Sequence, residues 1–264
     1  MTHIACKVCG TTSPWFATVD FSKHCNERAI PLPRAGIPVP YYRCPACDFI
    51  FTDFLDTFSD KDLSEQVYNE DYIKVDPLYP ELRPSANAAF LHAVLTGCFA
   101  DGADLEILDY GAGSGRFAAL LRERTGAKVT CYDALNPAFD RLPRARFDVI
   151  FCSEVVEHVP VPRTFVAHWQ ALLRDGGVVL FSTATPPPDI DTLKASWWYI
   201  SPRNGHVSIY SAKTLSRLFA DSGLRYRPLS TEWHLLQHAA PAHGFDEGKL
   251  QALVDKLPTG FIDL

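Results

Sequence analysis

A glycine-rich turn directly after a short apolar strand constrains this chain most strongly. Residues 105–110 form the strand, and Gly111, Gly113 and Gly115 occupy alternate positions of the turn. A helix is predicted over residues 114–125, because apolar residues recur there at spacings of three and four. At the carboxyl end of a strand, such a turn allows a ligand to lie against bare backbone. The turn therefore predicts an α/β protein with a ligand site at this strand end.

The spacing of the glycines narrows the choice of ligand. A dinucleotide-binding turn would have its third glycine at position 116, which is occupied by Arg116. The turn follows the acidic residue Asp109 and resembles the cofactor loop of class I S-adenosylmethionine (SAM) methyltransferases. A second acidic residue, Asp133, ends the next predicted strand about 20 residues later, where a carboxylate can bind ribose hydroxyls. A flavodoxin-like turn, an NAD-binding turn or a turn that only serves packing stays open on the loop alone.

The region from residue 105 to about 240 alternates predicted strands and helices. This alternation is typical of a doubly wound parallel sheet. Residues 147–154 are predicted to form a central strand, and residues 178–183 are a continuously apolar run, as expected of a strand buried on both faces. An antiparallel hairpin is predicted over residues 224–238. The predicted fold class is therefore α/β, a Rossmann-like doubly wound sheet, preceded by a small N-terminal module.

That N-terminal module contains two Cys-x-x-Cys motifs, formed by Cys6 with Cys9 and Cys44 with Cys47. Four thiolates suit a closed tetrahedral zinc site, and in a reducing compartment paired motifs indicate a metal site rather than disulfides. His24 and Cys25 lie between the motifs and are competing ligands. A redox pair is the alternative. The motifs predict a structural zinc ribbon, with the Zn²⁺ ion supplying much of the folding energy.

Composition limits the partners and the compartment. The 264 residues carry a net charge of −6, which disfavours nucleic acid as a partner. No apolar run is long enough to cross a membrane, and the first residues lack the basic region and apolar core of a signal peptide. We therefore expect a cytoplasmic protein. The predicted domains are a zinc ribbon at 1–55, connecting and lid helices at 56–104, a SAM-binding domain at 105–240 and a C-terminal tail at 241–264.

Four features occur in the order found in class I methyltransferases: the loop 109–115, Asp133, the strand 147–150 leading into Glu157-His158-Val159, and Asp175-Gly176-Gly177. The resemblance covers about residues 60–240. With the four-cysteine ribbon and a Gly205-His206-x-x-x-Tyr210-Ser211 segment, the chain is also similar to the zinc-ribbon methyltransferases that include sugar C-methyltransferases. The resemblance implies SAM as cofactor. It implies these cofactor-binding residues: Asp109, Gly111, Ala112, Gly113, Asp133, Ala134, Ser153 and Glu154.

Two histidines are the candidates for taking a proton from the methyl acceptor. In the sugar C-methyltransferases, a Tyr-x-Glu-His stretch carries the acid–base group, and its histidine falls on His206. The tyrosine and glutamate fall on Arg203 and Gly205, which leaves the acid–base group incomplete. His158 falls on another histidine of these enzymes. An imidazole with a pKa near ~6.5 suits a general base, and a purely structural hydrogen bond is the alternative for each.

The sequence therefore predicts a SAM-dependent methyltransferase that modifies oxygen or carbon of a small-molecule or carbohydrate acceptor. The first alternative is an rRNA or tRNA base methyltransferase, although Ser153-Glu154 stands where the Asn/Asp-Pro-Pro-Tyr loop of amino-group methylation would begin. The second is a non-catalytic SAM-binding protein whose ribbon docks a protein partner. The run Trp197-Trp198-Tyr199 is predicted either to wall the acceptor site or to close the core.

Overall fold

The computed structural model describes residues 3–258, and the chain divides into two compact units. The first, the ribbon unit, consists of the described residues up to Pro77, Val156–Phe165 and Ala184–Leu218. The second, the Rossmann unit, consists of Leu78–Val155, Val166–Thr183 and the described residues from Phe219 onward. Each unit is therefore assembled from separate stretches of sequence.

Strands and helices alternate along most of the described chain. The strands are β1 (His3–Ala5), β2 (Thr12–Asp20), β3 (Pro38–Arg43), β4 (Ile50–Phe51), β5 (Glu106–Tyr110), β6 (Lys128–Tyr132), β7 (Phe147–Ser153), β8 (Leu173–Ser182), β9 (Ser208–Ile209), β10 (Arg225–Pro228) and β11 (Trp233–Gln237). The α-helices are α1 (Asp60–Gln66), α2 (Tyr72–Val75), α3 (Leu82–Cys98), α4 (Arg116–Thr125), α5 (Arg163–Leu172), α6 (Ile190–Leu193), α7 (Ala212–Phe219) and α8 (Glu247–Val254). Short 3₁₀ turns cover Val156–His158, Lys194–Ser196 and Pro202–Asn204.

The ribbon unit contains a five-stranded antiparallel sheet in the order β1-β2-β3-β4-β9. Its fifth strand comes from far along the chain, and Ile209 of β9 pairs with Ile50 of β4. The sequence places residues 30–40 in an extended loop, but Pro38 already belongs to β3. Proline is tolerated there because β4 pairs only with the last two residues of β3, which leaves the start of β3 without a neighbour on that side.

The Rossmann unit contains a six-stranded mixed sheet in the order β10-β11-β8-β7-β5-β6. The strands β6, β5, β7 and β8 run parallel, whereas β11 and β10 are antiparallel to their neighbours. The chain leaves β5 for β6 on one side and returns to β7 on the other, so the strand order reverses at β5. Open α/β sheets bind ligands at such a reversal. The predicted Rossmann-like α/β fold is confirmed, including the antiparallel hairpin of β10 and β11.

Large aromatic side chains fill the core of this unit. Phe117 of α4 stacks on Phe151 of β7 at a centroid distance of 4.6 Å, and Phe90 of α3 packs on Trp233 at 4.7 Å. α3 begins at Leu82 and contains Pro84 in its first turn, where a proline leaves a helix intact. Over residues 3–258, no helix combines the length and apolarity needed to cross a membrane.

Candidate functional site

The glycine loop after β5 has a backbone that favours glycine. Gly111, Gly113 and Gly115 have φ angles of +84°, +52° and +77°, in the left-handed region that other residues rarely adopt. A Cβ atom on Gly111 would lie 2.2 Å from Cγ2 of Val155, so the loop packs tightly against the end of β7. A Cβ atom on Gly113 would meet nothing within 4 Å. The loop is therefore packed on one side and bare at Gly113, as a ligand-binding turn requires.

Asp133, at the end of β6, holds this loop through its carboxylate. Its Oδ2 accepts a hydrogen bond from the Gly113 amide at 2.8 Å, and its Oδ1 accepts from the amides of Leu135 and Asn136 at 2.9 and 3.1 Å. The Asn136 amide group donates to the carbonyl oxygen of Gly113 at 2.6 Å. A carboxylate has about four acceptor positions, so Asp133 retains capacity for a ribose hydroxyl.

Ser153 and Glu154 lie at the end of β7 and are fixed by neighbouring side chains. The hydroxyl of Ser153 lies 3.0 Å from that of Ser182 and accepts a hydrogen bond from the Asn87 amide at 3.0 Å. The Ser182 hydroxyl also lies 3.0 Å from Glu154 Oε1 and donates to it. Glu154 has a φ of +54°, which is unusual for a residue with a side chain. These contacts hold Glu154 in its turn.

The predicted cofactor residues all belong to one edge of the Rossmann sheet. Asp109 lies in β5, Gly111 to Gly113 belong to the loop, and Asp133 and Ala134 follow β6. Ser153 is the last residue of β7, and Glu154 follows it. The amides of Gly111 and Ala112 donate to the carbonyl oxygen of Tyr132 at 2.7 and 3.0 Å. The sequence thus identified a group of residues that the sheet places together.

Asp109 is buried below the loop. Burial first and then the negative charge of Asp133 raise the pKa of its carboxyl group to about 8, against a lowering effect of Arg122. Within the described residues, Asp109 Oδ2 has no hydrogen-bond partner. This orphaned oxygen and the bare backbone at Gly113 fit a cofactor such as SAM, whose amino and ribose groups carry hydrogen-bond donors.

The four cysteines of the two motifs come together in the ribbon unit. Sγ of Cys47 lies 3.7 Å from the sulfurs of both Cys6 and Cys9, and the sulfurs of Cys9 and Cys44 are 3.5 Å apart. Four sulfurs at about 2.3 Å from a tetrahedral zinc ion would be about 3.8 Å from one another. A hydrogen bond from the Cys47 thiol lowers the pKa of Cys6 to about 5, which favours a thiolate. The donor set and its spacing therefore fit Zn²⁺.

His24 and Cys25, the competing zinc ligands, lie elsewhere in the ribbon unit. The Nε2 atom of His24 is 2.8 Å from the carbonyl oxygen of Ile30, and the Cys25 thiol contacts the Ser201 hydroxyl at 3.3 Å. The group of possible metal ligands around the two motifs contains the four cysteines alone over the described residues.

The ribbon unit also brings the two predicted catalytic histidines together. The rings of His158 and His206 meet edge to face at a centroid distance of 5.0 Å. Glu157 completes what we call the imidazole cluster: its Oε1 lies 3.7 Å from Nε2 of His158, and one possible ligand atom from each of the three residues lies within 4.8 Å of the others. Glu157 is fully buried. Sequence reasoning assigned Glu157 no role, although the dipeptide Glu157-His158 at a strand end was a usable signal.

The segment 203–206 is fixed from several directions. Nδ1 of His206 lies 2.9 Å from the carbonyl oxygen of Tyr199, and the Tyr41 hydroxyl donates to the carbonyl oxygen of His206 at 2.7 Å. Gly205 has a φ of +91°, and a Cβ atom there would lie 2.7 Å from the Tyr68 hydroxyl and 3.1 Å from Nδ1 of His158. The glutamate of the sugar C-methyltransferases has no room at this position. Glu157 supplies a carboxylate to the histidines from another segment.

The aromatic run before this segment belongs largely to the core of the ribbon unit. Tyr199 is fully buried and Trp197 nearly so. The ring of Tyr199 packs 4.2 Å from the ring of His206, centroid to centroid, and supports it. Tyr68 lies edge to face with His158 at 6.0 Å. Of the two roles considered for the run, closing the core is the one that the burial of Trp197 and Tyr199 supports.

Residues 79–229 match the family model described as a methyltransferase domain. The chain is 36% identical over 84 residues to a ubiquinone biosynthesis O-methyltransferase of Photorhabdus laumondii subsp. laumondii, which covers 31% of this chain and 35% of that protein. It is 32% identical over 170 residues to the protein of the same name from Pseudoalteromonas translucida, which covers 50% of this chain and 72% of that one. The chain thus spans about a third of the length of the first relative.

Among solved structures, the 1,6-didemethyltoxoflavin-N1-methyltransferase of Burkholderia thailandensis is similar, with 19% sequence identity and a TM-score of 0.48. The alignment covers 78% of this chain and 96% of that structure.

Proposed function

Because the chain belongs to the methyltransferase domain family, we propose that it transfers a methyl group from SAM to a hydroxyl group of a small-molecule acceptor. The observation that carries the proposal is the glycine loop at the reversal of the Rossmann sheet, tied to Asp133 by the 2.8 Å hydrogen bond from Gly113. The names of the two relatives favour oxygen as the acceptor atom. Carbohydrate hydroxyls fall within this acceptor class.

In this proposal, the Rossmann unit binds the cofactor. SAM supplies an electrophilic methyl group on a positively charged sulfur. Asp133 accepts hydrogen bonds from the ribose, Gly111 to Gly113 and Ala134 offer bare or small backbone positions, and Ser153 and Glu154 line the next strand end. Alignment of the nucleophile with the methyl group contributes most of the rate acceleration, on the order of 7–11 kcal/mol.

We propose His206 first and His158 second as the acceptor of the hydroxyl proton. A base of this kind contributes typically 10²–10⁴-fold. The hydrogen bond between Nδ1 of His206 and the carbonyl oxygen of Tyr199 fixes the orientation of the imidazole ring. If methyl transfer to an identified acceptor proceeds at wild-type rates in both His206→Ala and His158→Ala, neither imidazole is the base.

The ribbon supports this function in our proposal by binding structural Zn²⁺ through Cys6, Cys9, Cys44 and Cys47. A reducing compartment such as the cytoplasm would keep the four thiols available for the metal. The ribbon sheet holds the His206 segment through β9 and the Tyr41 hydrogen bond, which favours a role in shaping the acceptor site. Docking of a protein partner through the ribbon is a further prediction from the sequence.

The test is calorimetric titration of S-adenosylhomocysteine into the wild-type protein and Asp133→Ala, with Asp140→Ala as the control. Asp140 is an exposed carboxylate seven residues further along the chain. We expect micromolar binding by the wild type and the control. Loss of the charged hydrogen bonds of Asp133 should weaken binding roughly 10- to 100-fold. Equal affinity in all three proteins would overturn the proposed cofactor site.

A further inference from the structure

We propose that Glu157, His158 and His206 bind a divalent transition-metal ion, separate from the zinc of the four cysteines. The starting observation is the environment of Glu157. Its side chain is fully buried, and over residues 3–258 neither carboxylate oxygen has a hydrogen-bond partner. The nearest group of possible positive charge is Nε2 of His158, at 3.7 Å. A buried carboxylate without hydrogen bonds costs several kcal/mol unless a cation compensates its charge.

His158 adds a second unsatisfied ligand atom. Its Nδ1 is buried and lacks a hydrogen-bond partner among the described residues. An imidazole normally uses one nitrogen as a donor and leaves the other as a lone-pair acceptor. Nδ1 lies beside Gly205, and Nε2 lies 3.7 Å from Oε1 of Glu157, so with the proton on Nδ1 the lone pair of Nε2 faces the carboxylate. A metal ion held by Nε2 and the carboxylate compensates both.

His206 has the surroundings of a metal-bound histidine. Its Nδ1 lies 2.9 Å from the carbonyl oxygen of Tyr199, so the N–H is placed on Nδ1 and the lone pair on Nε2. Metal-binding histidines almost always donate their second ring N–H to a carbonyl or carboxylate in this way. The Tyr199 ring, tilted against the imidazole at a centroid distance of 4.2 Å, and the hydrogen bond from Tyr41 fix the ring and its backbone.

The donor set indicates the type of metal. One ligand atom from each residue lies within 4.8 Å of the others. Bonds of about 2.0–2.2 Å place neighbouring ligands about 3–3.5 Å apart, so small side-chain rotations close the cluster on an ion. Two imidazoles and one carboxylate favour Zn²⁺, Fe²⁺, Mn²⁺ or Co²⁺ over Mg²⁺ and Ca²⁺, and three protein ligands leave coordination positions open.

An ion here would deepen the proposed function, on which this part of the inference rests. Open positions on a metal bind oxygen donors and lower the pKa of a coordinated hydroxyl group, so that its proton passes to water without an imidazole base. The acceptor class would then be a molecule with two neighbouring oxygens, such as a vicinal diol or a catechol. The two histidines would act as ligands rather than as bases.

The experiment uses the full-length, zinc-loaded protein and Mn²⁺, because Mn²⁺ prefers oxygen and nitrogen ligands and competes poorly for thiolates. Bound Mn²⁺ is measured by the loss of the free-ion electron paramagnetic resonance signal. We expect the wild type to bind one equivalent, and Glu157→Gln and His206→Ala to lose it. His92→Ala, in the half-buried part of α3 and outside the cluster, is the matched control and should bind like the wild type.

A stability measurement keeps the test independent of catalysis. Without added metal, Glu157→Gln should melt at a higher temperature than the wild type, because a neutral amide replaces an uncompensated charge. Added Mn²⁺ should stabilise the wild type and leave Glu157→Gln unchanged. Equal Mn²⁺ binding by both proteins, or no binding of Mn²⁺, Co²⁺ or additional Zn²⁺ by a folded wild type, would overturn the metal site. S-adenosylhomocysteine binding in the same samples reports separately on the proposed function.

Discussion

The glycine loop and the imidazole cluster are both built around a buried carboxylate, but they are assembled in different ways. The loop is local: Asp109, Gly113, Asp133 and Asn136 all lie within one β-α-β stretch. The cluster is non-local, since Glu157 and His158 meet His206 across about 50 residues of chain. The loop needs only its own sheet, whereas the cluster depends on every segment that positions residues 203–209.

The ribbon is the main one of those segments. The carbonyl oxygen of Cys47 accepts hydrogen bonds from the hydroxyls of Ser211 and Thr214, at 3.3 and 2.7 Å. β9 extends the ribbon sheet two residues after His206. The geometry of the second Cys-x-x-Cys motif is therefore transmitted to the histidine segment through backbone contacts. The cluster should therefore respond to changes at the proposed zinc site, while the loop should not.

Removal of the proposed structural zinc should have the largest effect. It should unfold the ribbon unit, which holds the imidazole cluster, and leave the sheet that holds the glycine loop folded. Structural zinc contributes an apparent free energy of about 10–16 kcal/mol in small zinc domains. We expect Cys47→Ser to lose zinc and to unfold the ribbon unit, while β5 and β7 stay protected from hydrogen exchange. Hydrogen-exchange mass spectrometry and metal analysis measure both. The control is Cys131→Ser, which changes a half-buried thiol outside the group of four cysteines. A ribbon that stays protected without zinc would contradict the comparison.

The pH dependence of the free energy of unfolding should report on Asp109, the buried carboxylate below the glycine loop. The pKa of Asp109 rises from 3.8 to about 8 on folding, first because of burial. The folded state therefore holds this proton more tightly than the unfolded state. Its stabilising contribution is complete below pH 4 and is lost as the pH rises towards 8. The full shift corresponds to an upper bound of about 6 kcal/mol.

Denaturant unfolding of the wild type and Asp109→Asn, from pH 4 to pH 8, measures this contribution. The stability of Asp109→Asn relative to the wild type should increase with pH, and taking the difference cancels the zinc site's own pH dependence. A constant difference between the two proteins would mean that Asp109 does not retain its proton.

Two glycine substitutions should each disrupt one of the two regions and leave the other intact. Their effects on stability should be similar to each other and smaller than the effects described above. A left-handed backbone costs a side chain about 1–2 kcal/mol, and overpacking adds about 1–3 kcal/mol. Gly111→Ala places Cβ against Val155 and should abolish S-adenosylhomocysteine binding but leave Mn²⁺ binding intact. Gly205→Ala places Cβ against Tyr68 and His158 and should do the reverse.

Controls for this pair come from glycines with the same backbone and open surroundings. Gly113 and Gly10 have φ angles of +52° and +75°, and a Cβ atom on either would meet nothing within 4 Å. Gly113→Ala and Gly10→Ala should therefore show the backbone cost alone in the stability of each unit. If Gly111→Ala and Gly205→Ala both reduced both binding reactions equally, the two regions would not be independent.

The features that could be predicted from the sequence are those that depend on residues close together in the chain. The order of strand, glycine turn and helix around Gly111 identified the Rossmann-like sheet, and the spacing of the four cysteines predicted a group that the structure brings together. The dipeptide Glu157-His158 was a signal for the acid of the imidazole cluster, but only the three-dimensional path of the chain brings Glu157 close to His206. The pairing of β9 with β4 could not be predicted either, because a strand of two residues, Ser208 and Ile209, carries no recognisable sequence pattern.

Because β9 pairs with β4 but lies far along the chain, the two strands are synthesised at different times. Ile50 and Phe51 leave the ribosome long before Ile209, their partner strand. At about 5–20 residues per second, the 150 or so intervening residues take about 8–30 s to translate. During that interval the edge of β4 lacks its neighbour, and an unpaired strand edge is prone to pair with other chains. A chaperone bound at this edge would protect it during that interval.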